Sequence, residues 1–389
     1  MEPTSASDAN AADGTVTSPN DETNESPSST GPSSSPSWWY ETRRLVELAV
    51  PTIIVNLAMF MPQGVTAAYV GRRIGKEAMD GFTLANLTLN LLSLSLLLGI
   101  CTANDTLSPQ AFGAQNYGEV GLLSIRGYIV GCSIIVPFII VLYFVFEPIL
   151  LALSQPPIAA GYASLFYNTF MWSFPFYILY VTIWKFLSAQ EIMKPLIIVA
   201  VICCGPYLFT VLPLFIDWYG FVGSAMALAS YTVLQPLLLL LYLAIFRPHH
   251  KDTWKGLQWR KAVAIEPMKA YLELALGGIA AQAEWWFWEI FVLMCGTFGV
   301  VALSVQTIAV QVLMVTLMIP TGTAIALSVR VGAIISQDSK HAKTVMITTL
   351  AVTFAFFSFL GILMYIFRYD IFAIFTTDPA VIEVSIKIL

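Results

Sequence analysis

The sequence predicts an all-α protein that crosses a membrane many times, built as two lobes of which the second is incomplete. Three observations lead there. Of 389 residues, 57% are hydrophobic and 11% charged, with a mean hydropathy of +0.75. A soluble domain carries about 25% charged residues, so polar side chains are too few here to clothe a water-facing surface. Apolar runs of bilayer-spanning length follow one another along the chain. Motifs in the first half recur, in the same order, in the second.

Taken in order, residues 1–42 read as a disordered cytosolic tail. As far as about residue 37 the segment is rich in Ser, Pro, Thr, Asn and Asp and holds no Lys or Arg. Such a composition buries too little apolar area to offset the entropy of ordering. It has no basic region followed by an apolar one, so it is not a signal peptide. Trp38-Trp39-Tyr40 followed by Arg43-Arg44 suits an interfacial anchor. Nine spans are predicted at 45–70, 84–103, 122–146, 163–184, 196–216, 221–246, 271–295, 300–326 and 344–367, and a tenth begins near Pro379. Residues 43–246 then form a first lobe of six helices and 247–270 a basic linker. Residues 271–389 form a partial second lobe, with helices seven to nine and the start of a tenth.

Loop charge sets the orientation. With the N-terminus in the cytosol, the inside segments hold 14 Lys and Arg, and the outside segments hold four: Arg72, Arg73, Lys76 and Arg368. The inside set includes Arg126, Lys185 and Arg330, assigned to loops or loop edges. The sequence does not say which membrane is crossed.

The halves repeat. Val46-Glu47-Leu48-Ala49-Val50-Pro51 matches Leu272-Glu273-Leu274-Ala275-Leu276-Gly277 at an offset of 226. Leu107-Ser108…Gly113-Ala114 matches Leu327-Ser328…Gly332-Ala333 at offsets of 220 and 219. Six helices separate the copies, an even number, so the repeats are parallel about an axis along the membrane normal, with a ligand site expected between them. From Glu273 only 117 residues remain, which leaves the second copy about three helices short by the same two-repeat logic.

The residues that could carry chemistry centre on Glu284-Trp285-Trp286-Phe287-Trp288-Glu289, inside the seventh span. A charged side chain at membrane depth costs at least ~2.5 kcal/mol, so an acid there marks a functional site by default. Desolvation favours the protonated form of such a carboxylate, which could take a proton at one stage and a cation at another. Aromatic faces nearby, Trp285 among them, hold organic cations. The opposing reading pairs the acids with neighbouring helices and gives the tryptophans to the interface. Gln306 is a polar group at depth that either lines a cavity or bonds across helices. Pro51, Pro62 and Pro320 break their helices for gating or for packing, and Gly277-Gly278 is a hinge or a packing notch. Asn104-Asp105 closes the second span and caps the loop after it.

Several classes drop out. No GxxxxGK[ST] loop is present, so energy would come from an ion gradient or a separate subunit. No metal-ligand cluster and no nucleophile–base pairing appears, so the chain is read as a non-enzyme without a cofactor. The five cysteines are small packing residues, and the three histidines sit in solvated cytosolic loops. The net charge of -5 is partly set by the tail and implies no nucleic-acid partner.

The segments TANDTLSPQAFGAQNYGEVG (102–121), WKFLSAQEIMKP (184–195), EWWFWEIFVLMCGTFGVVALSVQTI (284–308) and MIPTGTAIALSVRVGA (318–333) resemble the multidrug and toxic compound extrusion (MATE) transporters, most closely the eukaryotic branch. The resemblance covers about residues 45–375. It implies a six-plus-six helix architecture and antiport of organic cations or other small solutes against protons or sodium. The membrane lipid and a cationic or amphipathic solute are the partners, and the chain acts as a monomer. In the eukaryotic branch the acids matching Glu284 and Glu289 are implicated in coupling. The acid that bacterial and archaeal members carry in helix 1 is absent near Thr66, where Gln63 is the neighbouring polar group. A common proline appears as Gly277. Helices ten to twelve, with their acid, are missing. Two alternatives stand beside this reading: a truncated membrane protein that transports nothing, and a lipid-linked precursor flippase. The flippase reading calls for cationic residues in the cavity and fits the acids poorly.

Overall fold

The computed structural model describes residues 38–153, 155–295 and 300–375, with positions 383 and 386; some side chains, most of them between 284 and 315, lie outside that description. Residues 1–37 of the N-terminal tail and most of the predicted tenth span fall outside the described residues, whereas residues 38–42, expected in the disordered tail, are helical and open the first helix, with Glu41 buried. All nine predicted spans are helical, and eight helices among the described residues are long and apolar enough to cross a membrane. The chain is an integral multi-pass membrane protein.

The elements are α1 (Trp38–Arg73), α2 (Lys76–Leu89) and α3 (Ser95–Gly113), the last two joined through a π turn at Asn90–Leu94. There follow α4 (Tyr117–Ala152), then α5 (Pro157–Phe170) and α6 (Phe174–Ser188) on either side of a 3-10 turn. Next are α7 (Lys194–Pro206) and α8 (Leu212–Tyr219), separated by a π turn, and α9 (Phe221–Phe246). A short α10 (Trp259–Ala262) interrupts the linker. The remaining helices are α11 (Ile265–Cys295), α12 (Val300–Ile335), α13 (Ser339–Ile366) and α14 (Arg368–Phe375). Leu97, Ile100, Ile135, Phe166, Ile178 and Leu187, from α3, α4, α5 and α6, are fully buried in one core. Phe144, Trp172, Phe209 and Phe354 point outward, as lipid-facing side chains should.

The sequence placed several helix ends too early. Asn104 and Asp105 do not close a helix, because α3 continues to Gly113. The polar last turns stay helical because α12 lies against them. A Cβ on Gly113 would meet the Ala333 backbone, and one on Gly332 would meet Pro109. Gly113, Gly332 and Ala333 are positions matched by the internal repeat. A second pair of contacts has the same relation. Gly99 of α3 accommodates Ile279 of α11, and Gly322 of α12 accommodates Ile53 of α1. Ile53 and Ile279 lie 226 apart, the offset of the helix-start repeat. A two-fold relation between α1/α3 and α11/α12 accounts for both pairs.

Prolines free carbonyls inside these helices, because a proline at i lacks the N–H that would reach the carbonyl at i−4. In two cases the side chain of another helix takes up the acceptor. Pro62 frees Ala58 O, which accepts from the Tyr231 hydroxyl of α9 at 2.9 Å. Pro109 frees Asp105 O, which accepts from Ser328 Oγ of α12 at 3.2 Å. Pro206 immediately precedes the π turn at Tyr207–Val211.

The linker is folded onto the first six spans. His250 stacks on Tyr117 with ring centroids 4.1 Å apart, and its backbone N–H donates to Gln190 Oε1 at 3.0 Å. Arg126, expected at a loop edge, is buried in α4; it donates to Ala262 O at 3.0 Å and pairs with Glu119 at 3.1 Å. The end of the bundle that carries these contacts is called the linker end below.

Candidate functional site

A cavity of about 360 Å³ lies between the first six spans and α11/α12. Each wall is one face of a helix, at spacings of three and four. From α1 come Asn56, Met59, Phe60 and Gln63, and from α9 come Leu228, Tyr231, Thr232 and Gln235. The α11 wall is Gln282 and Trp286, four apart, and the α12 wall is Met318, Thr321 and Ile325. From the α2–α3 span, around the π turn, Asn90, Leu91, Leu94, Ser95 and Leu98 reach the cavity. Trp286 Nε1 donates to Ser95 Oγ at 2.9 Å, tying α11 to α3 across the wall. The lining is apolar and aromatic with separated amides and hydroxyls, the usual make-up of a small-molecule pocket.

Among the described lining residues two are charged, and they pair. Lys185 Nζ of α6 lies 2.8 Å from Asp105 Oδ2 of α3 and 4.7 Å from the centre of the Trp184 ring. Lys185 was expected among loop cations; the structure buries it in the cavity wall because α6 runs on to Ser188.

At the linker end, around Arg330, an ion cluster joins α1, the turn after α6, α12 and α13. Arg330 of α12 donates to both oxygens of Glu41 at 2.9 Å and to Glu191 Oε1 at 3.1 Å. His341 Nε2 lies 3.2 Å from Glu41 Oε1. A two-oxygen fork of this kind is the strongest form of a carboxylate–guanidinium pair. Glu191 holds a left-handed φ of 59° in the turn after α6, a conformation that costs a non-glycine residue about 1 kcal/mol or more. Gln337 Nε2 donates to Gly113 O at 2.9 Å. His341, expected in a solvated loop, is instead part of this cluster: its side chain is 13% exposed.

Of the residues expected to form the site, Gln63 lines the cavity. The side chains of Glu284, Trp285, Glu289 and Gln306 lie outside the described residues, although their helices are described. Pro51 and Pro62 lie within α1 and Pro320 within α12. Gly277 faces open space, whereas a Cβ on Gly278 would collide with Thr102 and the Gly99 carbonyl. Sequence reasoning missed the Asp105–Lys185 pair and the Glu41–Arg330–Glu191–His341 cluster. The available signal was charge inside helical stretches: Glu41, Asp105, Lys185 and Arg330 all sit within helices rather than in loops.

Comparison with known proteins follows this geometry. The chain is 30% identical over 354 residues to Multidrug and toxin extrusion protein 1 of Xenopus tropicalis, and 29% identical over 358 residues to the Homo sapiens protein of that name. In both cases the match takes in 90% of this chain and 61% of the relative, so the chain spans about three-fifths of the length of these relatives. The crystal structure of the eukaryotic MATE transporter AtDTX14 superposes with a TM-score of 0.82 at 21% identity, covering 90% of this chain and 78% of that one. A MOP superfamily transporter from Pyrococcus furiosus superposes with a TM-score of 0.78 at 16% identity, covering 89% of this chain and 77% of that one. With residues 51–214 and 278–389 matching the MatE family model, the chain belongs to the MatE family.

Proposed function

We propose that the chain is a secondary antiporter that moves organic cations in exchange for protons, with the cavity as the binding site and the α11 acids as the coupling groups. Sodium is the alternative coupling ion. The observation that carries this is the cavity itself: it lies between two repeat-related sets of helices, and an ion cluster drawn from both sets, which we read as a closed gate, joins them at the linker end. Such a cluster can exist in one of two alternating states and break in the other. The positive-inside count puts the linker end in the cytosol, so the sealed face is the one from which substrate would load. Residues 43–246 and 271–389 then act as a first lobe and a partial second lobe that rock about the cavity, with residues 247–270 as the connecting linker. Pro51, Pro62, Gly277, Gly278 and Pro320 are the candidate bending points.

Helical register supports Glu289 over Glu284. Position 289 follows Gln282 by seven residues, two turns on the same face of α11. Position 284 is about 200° around the helix from Gln282. Gln63, Trp285 and Gln306 are proposed to contribute polar and aromatic contacts to the solute. In membrane vesicles Glu289→Gln is expected to abolish proton-driven cation efflux, and Glu284→Gln to weaken or abolish it. Unchanged efflux in both single variants and in the double variant would sink the assignment.

A further inference from the structure

The cavity's one described ion pair has an unequal exposure that the transport reading leaves unused. The Lys185 side chain is 6% exposed and the Asp105 side chain 23%. The ammonium is held between Asp105 Oδ2 at 2.8 Å and the face of Trp184 at 4.7 Å. Both groups line the cavity, and the carboxylate is the more exposed of the two. A carboxylate accepts hydrogen bonds at both oxygens, yet only Oδ2 of Asp105 has a partner among the described residues. Its own backbone carbonyl accepts from Ser328 Oγ of α12, two residues before Arg330 of the linker-end cluster.

We propose that Asp105 Oδ1 is a subsite for the N–H of a protonated amine, and that it selects N–H-bearing cations over quaternary ammonium ions of the same skeleton. The inference rests on the cavity's being an organic-cation site. The selectivity follows from the pairing. Lys185 neutralises most of the net charge, so a cation without an N–H gains little from approaching Asp105. A cation with an N–H gains a directed, charge-assisted hydrogen bond. Lys185 is a positioning residue: it holds the carboxylate against the wall with one oxygen free. Removing the acid alone would strand a buried ammonium, so the cleaner variant removes both charges. A hydrogen bond of this type corresponds to a preference of roughly 10- to 100-fold.

The test is equilibrium binding to the purified full chain in detergent, by isothermal titration calorimetry. The probes are benzyldimethylammonium, which has one N–H, and benzyltrimethylammonium, which has none. Wild type is expected to bind the first at least tenfold more tightly. Asp105→Asn with Lys185→Met is expected to bring the two affinities within about twofold, and Asp105→Asn alone to do the same if it folds. Equal affinities in wild type overturn the inference and leave the cation-site reading standing, as does a preference that survives the double variant. Failure of wild type to bind either probe removes the cation-site reading and the inference with it.

Discussion

Replacing Arg330 with Met should open the linker end. Arg330 is 15% exposed, Glu41 7% and Glu191 19%, so the cluster is mostly withdrawn from water. The guanidinium makes three hydrogen bonds to the two carboxylates. Truncating one partner of a buried pair costs about 3–5 kcal/mol, chiefly through the stranded opposite charge. His341 still faces Glu41, and Glu191 keeps some water, so about 2–3 kcal/mol is the appropriate figure here. The cost falls on the sealed state alone, because in the open state both acids are hydrated. Each 1.4 kcal/mol is tenfold, so the sealed-to-open ratio should drop roughly 30- to 150-fold. Spin labels at the exposed positions Lys194 and Lys340, read by pulsed electron–electron resonance, report that ratio. Arg330→Met should add a longer-distance population, and Glu41→Gln in the same chain should restore much of the short one. A distance distribution unchanged by Arg330→Met would refute the reasoning.

Two further outcomes follow from the packing. Gly278→Ala should lower the thermal midpoint by an amount equivalent to about 1–3 kcal/mol of overpacking, because its Cβ meets Thr102 and Gly99. Gly277→Ala, with nothing within 4 Å, should be neutral or slightly stabilising; equal effects at the two sites would contradict the α3–α11 crossing. Tyr231→Phe strands the Ala58 carbonyl freed by Pro62, at about 1–3 kcal/mol. Adding Pro62→Ala restores a backbone N–H and should recover most of that loss in the same melting assay, and a merely additive double variant would argue against the pairing.

The helical character of the nine apolar runs was legible in the sequence because hydrophobic run length maps directly onto helix length when the solvent is hydrocarbon, and eight described helices are long and apolar enough to cross a membrane. The repeat was legible because the lobes share small residues where helices meet: the matched glycines Gly113 and Gly332 each sit at the α3–α12 contact, against Ala333 and Pro109. Helix ends were not legible. Residues 104–113 are polar, and hydropathy alone stops the helix there, whereas contact with α12 carries it to Gly113. The same error hid the chemistry. Lys185 and Arg330 looked like loop cations because each lies at the edge of an apolar run. Their partners, Asp105 and Glu41, are 80 and 289 residues away in the chain. No local pattern encodes such pairings; they appear only once α3 meets α6 and α1 meets α12. Gln63, noted in the sequence as the polar group nearest Thr66, lines the cavity.

The central claim is that this cavity moves an organic cation against an ion gradient. Its most direct test is uptake of a labelled organic cation into proteoliposomes of the full chain under an imposed pH gradient. Accumulation above the equilibrium level is expected, lost when a proton ionophore collapses the gradient and unaffected by sodium. Accumulation that follows sodium alone would reassign the coupling ion. Cation binding to the protein without any gradient-dependent accumulation would contradict the claim.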